Sequence, residues 1–162
     1  MSRIYVLHEN DEWVVPLRAA LVARDLPFEE WFLDIGTVDL GIQPPDGVFY
    51  NRMSASSHTR GHRYGPEYTA AVLGWLERHH RRVLNGSGAL RLEVSKVAQY
   101  TALESRGIRI PHTMAVVGRD RIVEAARTLT PPFITKHNRA GKGLGVRLFR
   151  DVETLSAYVG SE

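Results

Sequence analysis

The sequence predicts an α/β architecture built from two parts in series. The first, residues 1 to 88, reads as a parallel sheet layered with helices; the second, residues 89 to 162, reads as an α+β unit with helices on one face of an antiparallel sheet. Two observations carry this. Up to residue 85, short apolar runs alternate with helix-patterned stretches, the order that lays strands side by side in a parallel sheet. After Gly88 the order becomes helix, strand, helix, strand, strand, helix.

RIYVLH, residues 3 to 8, is a compact apolar run suited to a buried first strand. Asn10 or Asp11 then caps a helix that runs to about residue 24, and Pro16 confines that helix's start to the vicinity of its first turn. Leu26-Pro27 stops it. FEEWFL (28 to 33) and GVFYN (47 to 51) are the second and third strands, separated by a loop with Gly36, Gly41 and Pro44-Pro45. RMSASSHTRGHRYG, residues 52 to 65, is the longest irregular stretch, and long loops in compact domains often carry function. A helix from Pro66 to about residue 81 and the strand RVLN (82 to 85) complete this half. Gly86-Ser87-Gly88 reads as a turn. His8-Glu9-Asn10 and Asn51-Arg52-Met53 both fall at carboxyl ends of strands, the ligand-binding edge of a parallel sheet.

In the second half a helix is predicted from residue 93 to 106, with Val94, Val97, Ala98 and Thr101 on one face and Gly107 closing it. TMAVV (113 to 117) reads as a strand and residues 119 to 129 as a helix. FITK (133 to 136) and GVRLF (145 to 149) pair as a hairpin, and a last helix follows Asp151.

Composition excludes several function classes. The 162 residues contain no cysteine, so disulfides and thiolate metal sites are absent. No apolar run approaches the roughly 18 residues of a membrane span, and the N-terminus lacks a signal-peptide pattern, so the expected location is cytoplasmic. Net charge is only +3, with 21 Lys+Arg among 18 Asp+Glu. The densest basic run, Arg78-His79-His80-Arg81-Arg82, sits where cations complement a helix C-terminus. It has no interleaved aromatic residues, so nucleic acid is not an expected partner.

The loop from Asn138 to Gly145 is too long and glycine-rich for a tight hairpin. Gly141, Gly143 and Gly145 allow positive φ and close backbone approach, and Lys142 sits at the tip. Such a loop is either a cradle of backbone N–H groups for phosphate oxygens or a connector without a ligand. Neither GxxxxGK[ST] nor GxGxxG is present. Lys136 stands at the end of the strand leading in.

Taken as a set, VLNGSGALRLEVSK (83 to 96), GIRIPHT (107 to 113) and PPFITKHNRAGKGLGVRLFRD (131 to 151) resemble, in order and spacing, the N-terminal lobe of ATP-grasp enzymes, especially RimK-type ligases and glutathione synthetases. The resemblance covers roughly residues 83 to 159. The first half is similar to the Rossmann-like α/β domain that precedes those lobes, and NRMSASSHTRG stands where RimK-like proteins carry an Arg-containing loop. The resemblance implies an ATP-dependent carboxylate–amine ligase that works through an acyl phosphate. It makes Lys96, which by itself reads as a snorkelling surface lysine, the first nucleotide lysine. Lys136 becomes the second, at the α-phosphate, and Gly141, Lys142, Gly143 and Gly145 the loop over the β- and γ-phosphates. Magnesium is implied as well, with its ligands on a second lobe to which no part of this sequence corresponds. The expectation is therefore the front part of a ligase, binding ATP but inactive without that lobe, and an unpaired lobe face that favours self-association.

The polar loop offers Arg52, His58 and Arg60, with His8 nearby, for an anionic or carboxylate substrate. His58 and His62 have HxxxH spacing without the HExxH context of a zinc helix. Ser54, Ser56 and Ser57 lack a glycine elbow. The alternative to a ligase is a non-catalytic binding module that keeps the fold and holds a partner through this loop or the basic helix end.

Overall fold

A computed structural model describes residues 2–139, 143 and 145–161. The chain divides into two compact units, residues 1–95 and 96–162.

The first unit is a four-stranded parallel sheet in the order β2-β1-β3-β4. Its strands are β1 (Ile4–His8), β2 (Phe28–Phe32), β3 (Val48–Asn51) and β4 (Arg82–Leu84). Registers run Ile4 to Phe28, Ile4 to Val48 and Val48 to Arg82, so the four carboxyl ends lie along one edge. Strand alternation sorts the core into two layers. Val6 faces Val14 and Leu21 of helix α1 (Asp11–Val22). Tyr5, Leu7 and Phe49 face the other way, against Val72, Leu73 and Leu76 of helix α2 (Gly65–Arg78). Tyr5 stacks on Phe49 with ring centroids 4.7 Å apart. Asn10 caps α1 by accepting the Trp13 N–H. Pro16 lies inside α1, where the helix carbonyl it leaves without a partner, that of Glu12, is on an exposed residue.

Three local expectations give way. Residues 55–60 of the polar loop coil into a 3-10 helix, Ala55–Arg60, begun by Ser54 accepting the Ser56 N–H and ended by Gly61 at φ 87°. The Gly-Ser-Gly turn is instead the start of helix α3 (Ser87–Glu93), with the carboxylate of Glu77 accepting from the Ser87 N–H and hydroxyl. Leu90 of α3 enters the first unit's core. The helix predicted from residue 93 therefore begins later, as α4 (Lys96–Glu104), which opens the second unit.

The second unit holds α4, α5 (Arg119–Ala126), the antiparallel pair β5 (Phe133–Thr135) and β6 (Arg147–Phe149), and α6 (Val152–Ser161). Phe133 and Phe149 pair in register and point to one side, where Ala126 of α5 and Leu155 of α6 bury them. Ile134 and Leu148 pair on the other side and remain exposed. Residues 113–117 form no strand: all five are exposed, and β5 pairs with β6 alone among the described residues. No described helix is long and apolar enough to cross a membrane.

Candidate functional site

In the second unit, β5 hands the chain to Lys136 and then to the glycine loop. The Lys136 ammonium donates to the Tyr100 hydroxyl at 2.6 Å and lies 4.8 Å from the centroid of the same ring. Tyr100 is one helical turn beyond Lys96, whose ammonium lies 3.3 Å from Gln99 Oε1. Asn138 joins the two lysine-bearing segments. Its carbonyl accepts the Lys96 N–H at 3.0 Å and its side-chain oxygen accepts the Val97 N–H at 2.9 Å. These are the first N–H groups of α4, which no helical carbonyl can satisfy. Among the described residues neither lysine is ion-paired with a carboxylate.

Gly143 and Gly145 both adopt left-handed backbone, φ 74° and 70°, and the Val146 N–H returns to the Gly143 carbonyl at 3.2 Å. A Cβ on Gly145 would lie 2.8 Å from His137 Cδ2, whereas one on Gly143 would meet nothing within 4 Å. Gly141 and Lys142 lie outside the described residues. Two cationic side chains lie on segments that Asn138 joins, and the hairpin that leads into Lys136 also holds a turn that only glycine forms without strain and the exposed apolar pair Ile134 and Leu148.

In the first unit the residues named for substrate separate. His8 is 2% exposed, and its Nε2 lies 3.1 Å from Glu30 Oε2. Arg60 is held by Glu9, itself 1% exposed, through contacts of 2.5 and 3.1 Å, and its guanidinium also covers the Trp13 ring. His62 completes this cluster, with Nδ1 2.9 Å from the same carboxylate and Nε2 3.6 Å from Asp34. His58 turns to the Ala55 carbonyl at 3.0 Å. Arg52 alone lines an open pocket, described below. The 3-10 helix, which carries Arg60, is thus fastened to the sheet edge by a buried carboxylate. Partners 51 and 53 residues apart leave no local sequence signal.

His8, Asp11 and Glu30 bring three metal-type ligand atoms within 4.8 Å of one another, but the Arg18 guanidinium already occupies that ground. It donates to Glu30 at 2.7 and 2.8 Å and to Asp11 at 3.0 Å. Those hydrogen bonds raise the Arg18 pKa, and the bonds from Arg18 are the main cause that lowers that of Glu30. The chemistry there is an internal ion pair, not a vacant cation site.

At the ends of β3 and β4, Asn51 and Asn85 exchange amide contacts. Asn51 Nδ2 donates to the Asn85 carbonyl at 2.8 Å, and Asn85 Nδ2 to the Asn51 carbonyl at 3.2 Å. Asn51 Oδ1 also accepts the Met53 N–H. The recurrence of Asn after two strand-like runs, VFYN and RVLN, is the sequence signal that could have found this bridge.

Solved structures share this fold. A RimK-domain ATP-grasp protein from Sphaerobacter thermophilus DSM 20745 superposes with a TM-score of 0.70 at 19% identity, over 99% of this chain and 58% of that one. The chain has the fold of the front part of ATP-grasp proteins. The ATP-grasp ligase PsnB, complexed with a minimal precursor, matches with a TM-score of 0.63 at 18% identity, over 100% of this chain and 62% of that one. PurK, an N5-carboxyaminoimidazole ribonucleotide synthetase in its ADP complex, matches with a TM-score of 0.64 at 17% identity, over 98% and 44%. The chain therefore spans roughly half the length of these ATP-grasp structures. No family model and no curated protein matches the sequence.

Proposed function

We propose that this chain provides the phosphate-gripping half of the nucleotide site in an ATP-dependent carboxylate–amine ligase. The observation that carries the reading is the meeting of Lys96, Tyr100, Lys136 and Asn138 beside a glycine turn, with both ammonium groups free of carboxylates among the described residues. The ATP-grasp fold supports it, and one neighbour is an ADP complex.

In this reading Lys136 meets the α-phosphate and Lys96 adds a second positive charge. Gly141, Lys142, Gly143 and Gly145 fold over the β- and γ-phosphates, where backbone N–H groups and ammonium groups offset the charge on the transferring oxygens. Ile134 and Leu148 present an apolar strand face to the base. Arg52 meets the acid substrate. A carboxylate oxygen attacks the γ-phosphorus and ADP leaves; an amine then attacks the acyl carbon and phosphate leaves. Magnesium's protein ligands, and completion of catalysis, come from a second lobe.

Calorimetric titration of ATP with Mg²⁺ tests the reading. Charge-assisted hydrogen bonds contribute about 1.5–3 kcal/mol each, so Lys136→Ala weakens binding by about tenfold or more, and Lys96→Ala acts in the same direction. Binding that ignores both substitutions would leave the chain a binding module with an ATP-grasp fold.

A further inference from the structure

The carboxyl edge of β3 and β4 holds an open pocket of about 390 Å³ lined by Tyr50, Arg52, Met53, Asn85, Leu90 and Glu93. Its floor is fixed. The Asn51–Asn85 amide exchange ties the two strand ends together, and Asn85 sits at φ 56°, a backbone that turns the chain sharply from β4 into α3. Met53 and Leu90 anchor the floor in the core.

Two opposite charges line this fixed wall, and the fold leaves both largely unspent. The Arg52 guanidinium has no acidic partner among the described residues; its one side-chain contact is the Tyr50 ring, 5.8 Å from the centroid. The Glu93 carboxylate has only a long contact from the Ala55 N–H, 3.4 Å. No ion pair joins Arg52 to Glu93, although both line one cavity. Two other arginines of this unit are spent, Arg60 on Glu9 and Arg18 on Glu30 and Asp11. An unpaired cation and an unpaired anion across a small polar cavity match a ligand that carries both charges at once.

We propose that this pocket binds a small zwitterion, its carboxylate on Arg52 and its ammonium on Glu93. The fork of the guanidinium suits a carboxylate, and the neighbouring Tyr50 ring holds it in place. Glu93 makes the site selective: a ligand with the carboxylate alone leaves Glu93 unanswered, and one with the ammonium alone leaves Arg52 so. The inference deepens the reading of Arg52 as the acid's partner, and it is independent of the nucleotide residues of the second unit.

Glycine, β-alanine and 4-aminobutyrate, which separate the two charges progressively, are titrated into the full chain without nucleotide. Acetate, butyrate and butylamine serve as one-charge controls. Amide NMR shifts at residues 50–53, 85 and 89–93 give site and affinity. At least one zwitterion is expected to bind about tenfold tighter than any of the three controls, with Glu93→Gln removing that advantage and Arg52→Gln removing binding. Arg52→Lys restores part of it. Both side chains are partly or fully exposed, so the variants keep the fold. Butyrate binding equal to that of all three zwitterions, unchanged in Glu93→Gln, would overturn the zwitterion site while leaving Arg52 as an anion contact. No response to any compound would overturn both. A parallel ATP titration reports on the nucleotide reading separately.

Discussion

The ammonium of Lys136 rests on Tyr100, 2.6 Å from its hydroxyl oxygen and 4.8 Å from its ring centroid, so one aromatic side chain of α4 positions a lysine just beyond β5. Positioning before the ligand arrives saves the cost of ordering a long side chain, about 0.5–1.5 kcal/mol. Tyr100→Phe keeps the ring and loses the hydrogen bond; Tyr100→Ala loses both. ATP affinity is expected to fall less than about threefold in the first and about three- to tenfold in the second. Equal affinity in the two variants, measured by calorimetry, would show that the ring plays no part.

The two described glycines of the loop differ in a way that can be measured. Both require left-handed backbone, which costs an alanine roughly 1–2 kcal/mol, but only at Gly145 would a Cβ also strike His137. Gly145→Ala is therefore expected to weaken ATP binding more than Gly143→Ala. His137→Ala in the Gly145→Ala background recovers part of the difference. Identical titrations for Gly143→Ala and Gly145→Ala would count against a rigid loop.

Much of this was legible in the sequence where the signal is local. RIYVLH, FEEWF and VFYN are strands because apolar and β-favouring residues run together between helix caps, and their parallel order follows from the alternation. Local signals fail where two tendencies compete. Gly86-Ser87-Gly88 carries turn residues, yet Glu77, ten residues earlier, supplies the acceptor that starts α3 there. TMAVV has strand composition but pairs with no strand among the described residues. Lys136 stood out by its place before the glycine loop, but Lys96 only through resemblance, because Asn138, the residue that brings their segments together, contacts backbone 41 residues away. The Arg52–Glu93 pocket was half legible: Arg52 by its place after a strand, Glu93 not at all, since helix patterning gives it no distinction.

Glu9 is a buried carboxylate at the end of β1, held by Arg60 and His62. Removing one partner of such a pair leaves a charge without compensation, at a cost of about 3–5 kcal/mol. Arg60→Ala is expected near the lower end, because the guanidinium is 26% exposed and His62 remains. The prediction for urea unfolding is a large fall in midpoint for Arg60→Ala, partly reversed in Arg60→Ala/Glu9→Gln. A fall in the single variant that the double variant does not relieve would mean that Arg60 acts by packing on Trp13 instead.

Glu30 sets a pH dependence whose sign follows from its neighbours. Hydrogen bonds from Arg18 are the main cause that holds its carboxyl below the ordinary value of 4.5, aided by the charges of Arg18 and His8 and opposed by partial burial. A carboxylate with a lowered folded pKa contributes stability that is fully present above the ordinary value. That contribution disappears as pH falls through the lowered one, because the folded state then takes up the proton it had resisted. The stability gap between the wild-type chain and Glu30→Gln is thus expected to be flat above about pH 5.5 and to shrink steadily below about pH 4.5. Urea unfolding of both proteins at intervals from pH 3 to 7 measures the gap. In an Arg18→Met background the main lowering interaction is gone, so the gap should be smaller at neutral pH and nearly independent of pH. A gap that stays constant down to pH 3 with Arg18 in place would mean that the Arg18–Glu30 contact adds nothing to the folded state that the unfolded chain lacks.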